Sequence, residues 1–188
     1  MQIKSVKFLK GIVGEDEIFL DPIPKIAFIG RSNVGKSSLI NSLTNSSISR
    51  TSSDPGSTRQ INVFLVNSDY HIVDLPGYGF ARGSIVEREE IGQLIASYIL
   101  NPKYTQKKVV LVIDGNVGMT DKDLSMFEDL ESSGKNFVIA VSKIDKMSQA
   151  DYHKKIGEIK ELSGSQLVFP FSSKSKVGLE AISAEIFG

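Results

Sequence analysis

The chain of 188 residues sets 22 Lys and Arg against 22 Asp and Glu, with 40% hydrophobic and 23% charged residues, a globular composition that excludes disorder, collagen-like repeats and coiled coil. Zero net charge argues against binding nucleic acid through bulk positive charge. No cysteine and only two histidines rule out disulfides, thiolate catalysis and Cys-ligated metal sites, and leave oxygen-held Mg²⁺ as the expected metal.

In chain order, strand-like runs are expected at Ile3 to Lys10, Lys25 to Ile29, Ile61 to Val66, Tyr70 to Val73, Val109 to Ile113, Phe137 to Val141 and Leu167 to Phe169. Segments of helical periodicity separate them. Ile91, Leu94, Ile95, Tyr98 and Ile99 share one helix face, Tyr152, Ile156 and Ile159 a second, and Leu179, Ile182 and Ile186 a third. Lys25 to Ile29, Val109 to Ile113 and Phe137 to Val141 are nearly continuous apolar runs, the pattern of strands covered on both sides. The reading is one domain over 1–188, with a lead-in strand over 1–24 and a core over 25–188. It is an α/β fold with a mostly parallel sheet of six or seven strands, one antiparallel edge strand and helices on both faces. The longest apolar runs fall far short of a bilayer span, so a cytoplasmic chain without a membrane partner is expected, and a monomer.

Gly30-Arg31-Ser32-Asn33-Val34-Gly35-Lys36-Ser37 matches G-x-x-x-x-G-K-[ST] between a strand-like run and a helical stretch, the context that a phosphate-binding loop needs. Its glycines let consecutive N–H groups face phosphate oxygens, and the helix that follows adds its positive end. Lys36 then neutralises the β- and γ-phosphates and the Ser37 hydroxyl ligates Mg²⁺. Asp74-Leu75-Pro76-Gly77 ends the run at Tyr70, where Asp74 can hold Mg²⁺ through water and the Gly77 N–H can sense a γ-phosphate; alone it also reads as a common turn. Ser142-Lys143-Ile144-Asp145 ends the run at Phe137. There Asp145 can accept both N1–H and the exocyclic amine of guanine, a donor pair that adenine lacks, and Lys143 can lay its stem over the base. Ser172-Ser173-Lys174 can offer a backbone N–H to guanine O6, and equally reads as a polar loop. Thr51 to Arg59 is rich in turn formers, and Thr58 within it is suited to swing onto Mg²⁺ when a γ-phosphate is present. Lys103, Lys107 and Lys108 form a modest basic cluster, read as an RNA contact or a solvated edge.

These residues resemble the GTPases related to Era and TrmE and, within them, the EngB/YihA group of ribosome-biogenesis GTP-binding proteins. The resemblance rests on Ala27 to Asn41, on Pro55-Gly56-Ser57-Thr58-Arg59, on Asp74-Leu75-Pro76-Gly77-Tyr78-Gly79-Phe80-Ala81 and on Phe171-Ser172-Ser173. It implies a Ras-like fold, slow GTP hydrolysis with Mg²⁺, and a role in assembling the large ribosomal subunit from its RNA and proteins. By the same resemblance, nucleotide contacts extend from the phosphate loop to Ser38, to Ser57 and Thr58, to Lys146 beside Asp145, and to Phe171 through Lys174. Metal ligation falls to Ser37, Thr58 and Asp74. Catalysis falls to Lys36, Gly77, Thr58 and Asn33, the last at the position that in TrmE-like relatives helps bind K⁺; on its own, Asn33 also suits a tight turn. Two positions depart from the family pattern. Ser142 stands where Thr or Asn is usual, and Asn116 where relatives commonly carry Arg. Tyr78 replaces the Gln with which Ras-like enzymes orient water, which favours a slow intrinsic rate and leaves open a nucleotide-binding scaffold without productive hydrolysis.

Overall fold

The computed structural model describes residues 3–49, 60–79, 84–164 and 167–188. Seven strands, β1 (Val6–Ile12), β2 (Lys25–Gly30), β3 (Ile61–Val66), β4 (Tyr70–Asp74), β5 (Lys108–Asp114), β6 (Phe137–Ser142) and β7 (Val168–Pro170), form one sheet in the order β1-β3-β4-β2-β5-β6-β7. Every pairing from β4 to β7 is parallel, whereas β3 runs antiparallel to both of its neighbours. The reversal is local in origin: Asn67 and Ser68 take φ of 52° and 64°, left-handed values that let a tight turn return β3 along β4. β1 then closes the outer side of β3, from Val6 opposite Val66 to Ile12 opposite Ile61, with a shift in register between Phe8 and Lys10. The first strand therefore begins and ends later than its apolar residues alone suggested.

Among the described residues five helices cover the sheet: α1 (Lys36–Thr44), α2 (Ile85–Ile99), α3 (Asp121–Ser132), α4 (Gln149–Ser163) and α5 (Leu179–Phe187). Their apolar faces sort into two cores. On one side Ile91, Leu94 and Ile95 of α2, Phe127 and Leu130 of α3, and Ile156 and Ile159 of α4 pack on Ile29, Leu111 and Ile139. On the other, Leu39 and Ile40 of α1 and Ile182 and Ile186 of α5 pack on Phe28, Val110 and Val138. β2 and β6 are buried along their whole length, which explains their unbroken apolar character. Helix starts follow capping chemistry. The Ser84 hydroxyl accepts from the Glu87 N–H while the Glu87 carboxylate accepts from the Ser84 N–H, and Ser148 accepts from the Asp151 N–H. Among the described residues no helix is long and apolar enough to cross a membrane.

Candidate functional site

The loops that leave the carboxyl ends of β2, β4, β5, β6 and β7 converge on one rim of the sheet, where open α/β folds gather ligand groups. After β2 the chain turns at Asn33 (φ 65°) and Gly35 (φ 101°) before entering α1. Gly35 is the residue that caps α1 and has no side chain to satisfy the first-turn N–H groups, so those donors and the positive helix end stay available to an anion. Gly30 is required for a different reason. A Cβ there would stand 2.5 Å from the Val112 carbonyl oxygen of β5.

Lys36 is buried and its ammonium pairs with Asp74 Oδ1, while Ser49 Oγ donates to Asp74 Oδ2 at 2.8 Å. The two groups that the sequence assigned to phosphate and to metal thus neutralise one another. Ser49 is itself fixed by Asn41 of α1, which accepts from the Ser49 N–H and donates to the Ser49 carbonyl, both at 2.8 Å. Ser37 at the start of α1 supplies the neighbouring hydroxyl. A buried carboxylate with one hydroxyl, completed by phosphate oxygens and water, fits the sparse protein ligation that Mg²⁺ accepts. Gly77 follows Asp74 closely against the phosphate loop, where a Cβ would approach Ser32 N and Cα to 2.9 Å. Ser57 and Thr58 lie outside the described residues, as do Arg59, Phe80 and Ala81.

At the opposite end of the site, Ser142 Oγ donates to the Val34 carbonyl, with the Ile113 carbonyl also in reach at 3.1 Å. Lys143, itself left-handed at φ 60°, donates to the Asn33 carbonyl at 2.7 Å and to Asp114 Oδ2 at 2.6 Å. The contacts with Val34 and Asn33 tie the Ser142 to Asp145 segment to the loop between β2 and α1, so the hydroxyl of Ser142 anchors that loop from β6. Asp145 is exposed and accepts from Ser172 Oγ at 2.6 Å. That hydrogen bond, aided by the backbone and by the charges of Lys174 and Lys146, holds its carboxyl below the ordinary aspartate range and therefore ionised. Ser172 Oγ in turn accepts from the N–H groups of Lys174 and Ser175, which shapes the loop after β7. Ser173 and Lys174 stand on that loop beside buried Phe171.

Comparison with known proteins supplies the family. Residues 25–143 match the family described as 50S ribosome-binding GTPase. A probable GTP-binding protein EngB from Clostridium perfringens (strain 13 / Type A) is 42% identical over all of this chain and 96% of its own. A second, from Clostridium botulinum (strain Eklund 17B / Type B), is 38% identical at the same coverage. This chain belongs to the EngB family of GTP-binding proteins. The crystal structure of a probable EngB superposes with a TM-score of 0.74 at 29% identity, over 87% of this chain and 96% of that one. Aquifex aeolicus Era bound to GDP and aluminium fluoride shares the fold, with a TM-score of 0.70 at 23% identity over 87% of this chain and 56% of its own.

In this EngB-family chain some groups important to the site went unread in the sequence. Ser49 and Asp123 are buried and paired against motif residues, yet neither stands within a recognisable motif; Asp114, which pairs with Lys143, opens the stretch in which Asn116 departs from the family pattern. Arg31 directs its side chain to Asp123, with Nε 2.8 Å from Oδ2. The basic cluster is largely spent within the fold: Lys107 donates to the Gly188 carbonyl at 2.9 Å, and Lys108 pairs with Glu185 at 2.7 Å.

Proposed function

We propose that this chain is a slow GTP-hydrolysing switch that acts in assembly of the large ribosomal subunit. The observation that carries the guanine specificity is the ionised Asp145 carboxylate, presented at the rim and joined through Ser142 and Lys143 to the phosphate loop. The ribosomal part rests on the family, described as ribosome-binding. Lys36 moves from Asp74 to the β- and γ-phosphates when nucleotide enters, and the first-turn N–H groups of α1 take phosphate oxygens. Ser37 and Asp74, with Thr58, are the residues that would hold Mg²⁺, and the ion would neutralise charge developing on the transferred phosphoryl group. Asn33 is the residue that would carry a K⁺ dependence.

A reading without productive hydrolysis draws on Tyr78, whose hydroxyl is given to Asp123 and which offers no amide to orient water. One experiment on the purified chain separates these readings: fluorescent GDP, GTP and ATP binding in Mg²⁺, with Asp145→Asn alongside, followed by GTP turnover in K⁺ and in Na⁺. Selective guanine binding that shifts toward xanthine nucleotides in the variant supports the base reading, and ATP competing equally refutes it. Turnover separates switch from scaffold. Co-sedimentation of the GTP-loaded chain with large-subunit precursors, lost with GDP, is the expected ribosomal result.

A further inference from the structure

The buried carboxylate of Asp123 has no place in the nucleotide motifs, yet it is the best-satisfied polar group beside them. It sits in the first turn of α3, fully buried. Its Oδ1 accepts from the Tyr78 hydroxyl at 2.8 Å; its Oδ2 accepts from Arg31 Nε at 2.8 Å, from the Thr120 N–H at 3.0 Å and from the Thr120 hydroxyl at 2.7 Å. One donor meets Oδ1 and three converge on Oδ2, so both oxygens of the carboxylate are engaged. The donors come from three loops: Arg31 from the phosphate loop after β2, Tyr78 from the segment after β4, and Thr120 from the loop after β5.

The backbone repeats the connection. Ser32 N–H donates to the Tyr78 carbonyl at 3.0 Å and Tyr78 N–H donates to the Gly30 carbonyl at 3.2 Å, so residues 77 and 78 lie against residues 30 to 32. Gly77, the residue suited to meet a γ-phosphate, stands directly before this junction and touches Ser32 closely enough that no Cβ fits. Two neutral backbone hydrogen bonds hold such a junction weakly, whereas a desolvated carboxylate shared by a guanidinium and a phenol holds it more firmly. Tyr78 is also half-buried against the core on the α2, α3 and α4 side of the sheet, which restrains its hydroxyl.

We propose that Asp123 is a positioning residue for the γ-phosphate: by holding Arg31 and Tyr78 at once, it fixes the Gly77 N–H relative to the phosphate loop, so the site distinguishes GTP from GDP. The proposal rests on the GTPase reading above. GDP meets the loop N–H groups and Lys36 but has nothing for Gly77, so only the triphosphate feels the loss of the tie. Displacing the donor of one hydrogen bond to the γ-phosphate costs about tenfold in affinity.

The test uses the full chain and four proteins: unsubstituted, Asp123→Asn, Tyr78→Phe and the double variant. Each is titrated with fluorescent GDP and with a fluorescent non-hydrolysable GTP analogue in Mg²⁺, and each has its melting temperature and GTP turnover recorded. The expected result is an affinity for the GTP analogue that falls about tenfold relative to GDP in each single variant, with GDP affinity little changed. The double variant should lose little more than either single, since both break the same connection. Turnover should fall through kcat, with KM for GTP rising only as far as the affinity falls. Equal weakening of GDP and GTP analogue, tracking the melting temperature, would show a structural role alone and overturn the proposal. An unchanged ratio, or losses that multiply in the double variant, would overturn it as well. Failure of the unsubstituted chain to bind guanine nucleotides selectively would instead sink the GTPase reading, and that result is visible before any variant is compared.

Discussion

Asp74→Asn tests whether the ion pair between Lys36 and Asp74 is a real competitor of nucleotide. Both side chains are buried, and the carboxylate holds the Lys36 ammonium through one oxygen and accepts from Ser49 through the other. Asparagine keeps the shape and the Ser49 hydrogen bond but leaves the Lys36 charge uncompensated. Removing one partner of a buried pair costs about 3 kcal/mol at the lower end of measured cases, here the appropriate end because an amide oxygen still faces the ammonium. For a domain of this size that corresponds to a fall of about 6–12 °C in melting temperature without nucleotide.

Nucleotide reverses the sign. GDP without metal draws Lys36 away from Asp74, so the unsubstituted chain sacrifices the pair on binding and the variant has none to lose. If about half of that cost is relieved when GDP draws Lys36 onto its phosphates, GDP in EDTA binds the variant roughly tenfold more tightly. Saturating GDP should then close about half of the gap in melting temperature between the two proteins. In Mg²⁺ the advantage should disappear, since Asp74 is the carboxylate assigned to the metal. Differential scanning fluorimetry and GDP titration in EDTA and in Mg²⁺ measure all of this. An unchanged melting temperature without nucleotide, or weaker GDP binding by the variant in EDTA, would refute the competition.

Ser142→Ala removes the hydroxyl that holds the Val34 carbonyl and should weaken GDP by about fivefold, at roughly 1 kcal/mol for a buried hydrogen bond, while Ser142→Thr restores it; GDP titration of the three proteins decides. Ser172→Ala removes the largest influence that holds the Asp145 carboxyl below its ordinary range. A depressed carboxyl contributes stability that is complete above the unfolded value and disappears as pH falls through the folded one, so its loss moves the transition upward. GDP affinity of Ser172→Ala should therefore begin to fall between about pH 5 and pH 4, where the unsubstituted chain still holds base, and coincident pH profiles would count against the assignment.

What could be read in advance divides along the distance in sequence over which the chemistry is organised. Gly30 to Ser37 is legible because a strand, a glycine-bearing loop and a helix start are contiguous, and the backbone N–H groups that they expose do not depend on which side chains surround them. The central strands are legible for a related reason: burial on both faces leaves an unbroken apolar run. The limits of β1 are less so, because its ends depend on register with β3, about sixty residues away, and on the shift between Phe8 and Lys10. Asp123 was illegible in another way. It stands in no motif, and although it accepts from Thr120 in the first turn of α3, nothing local marks it as the meeting point of Arg31 and Tyr78. The same holds for Ser49, whose grip on Asp74 depends on Asn41. Motif residues contact ligand through rules that local chemistry dictates, whereas the groups that set their position are chosen by tertiary neighbours. Lys36 and Asp74 show the consequence: local motifs assign each to an expected ligand, yet their relation to one another, which sets the energy that a ligand must overcome, exists only once β2 and β4 lie side by side.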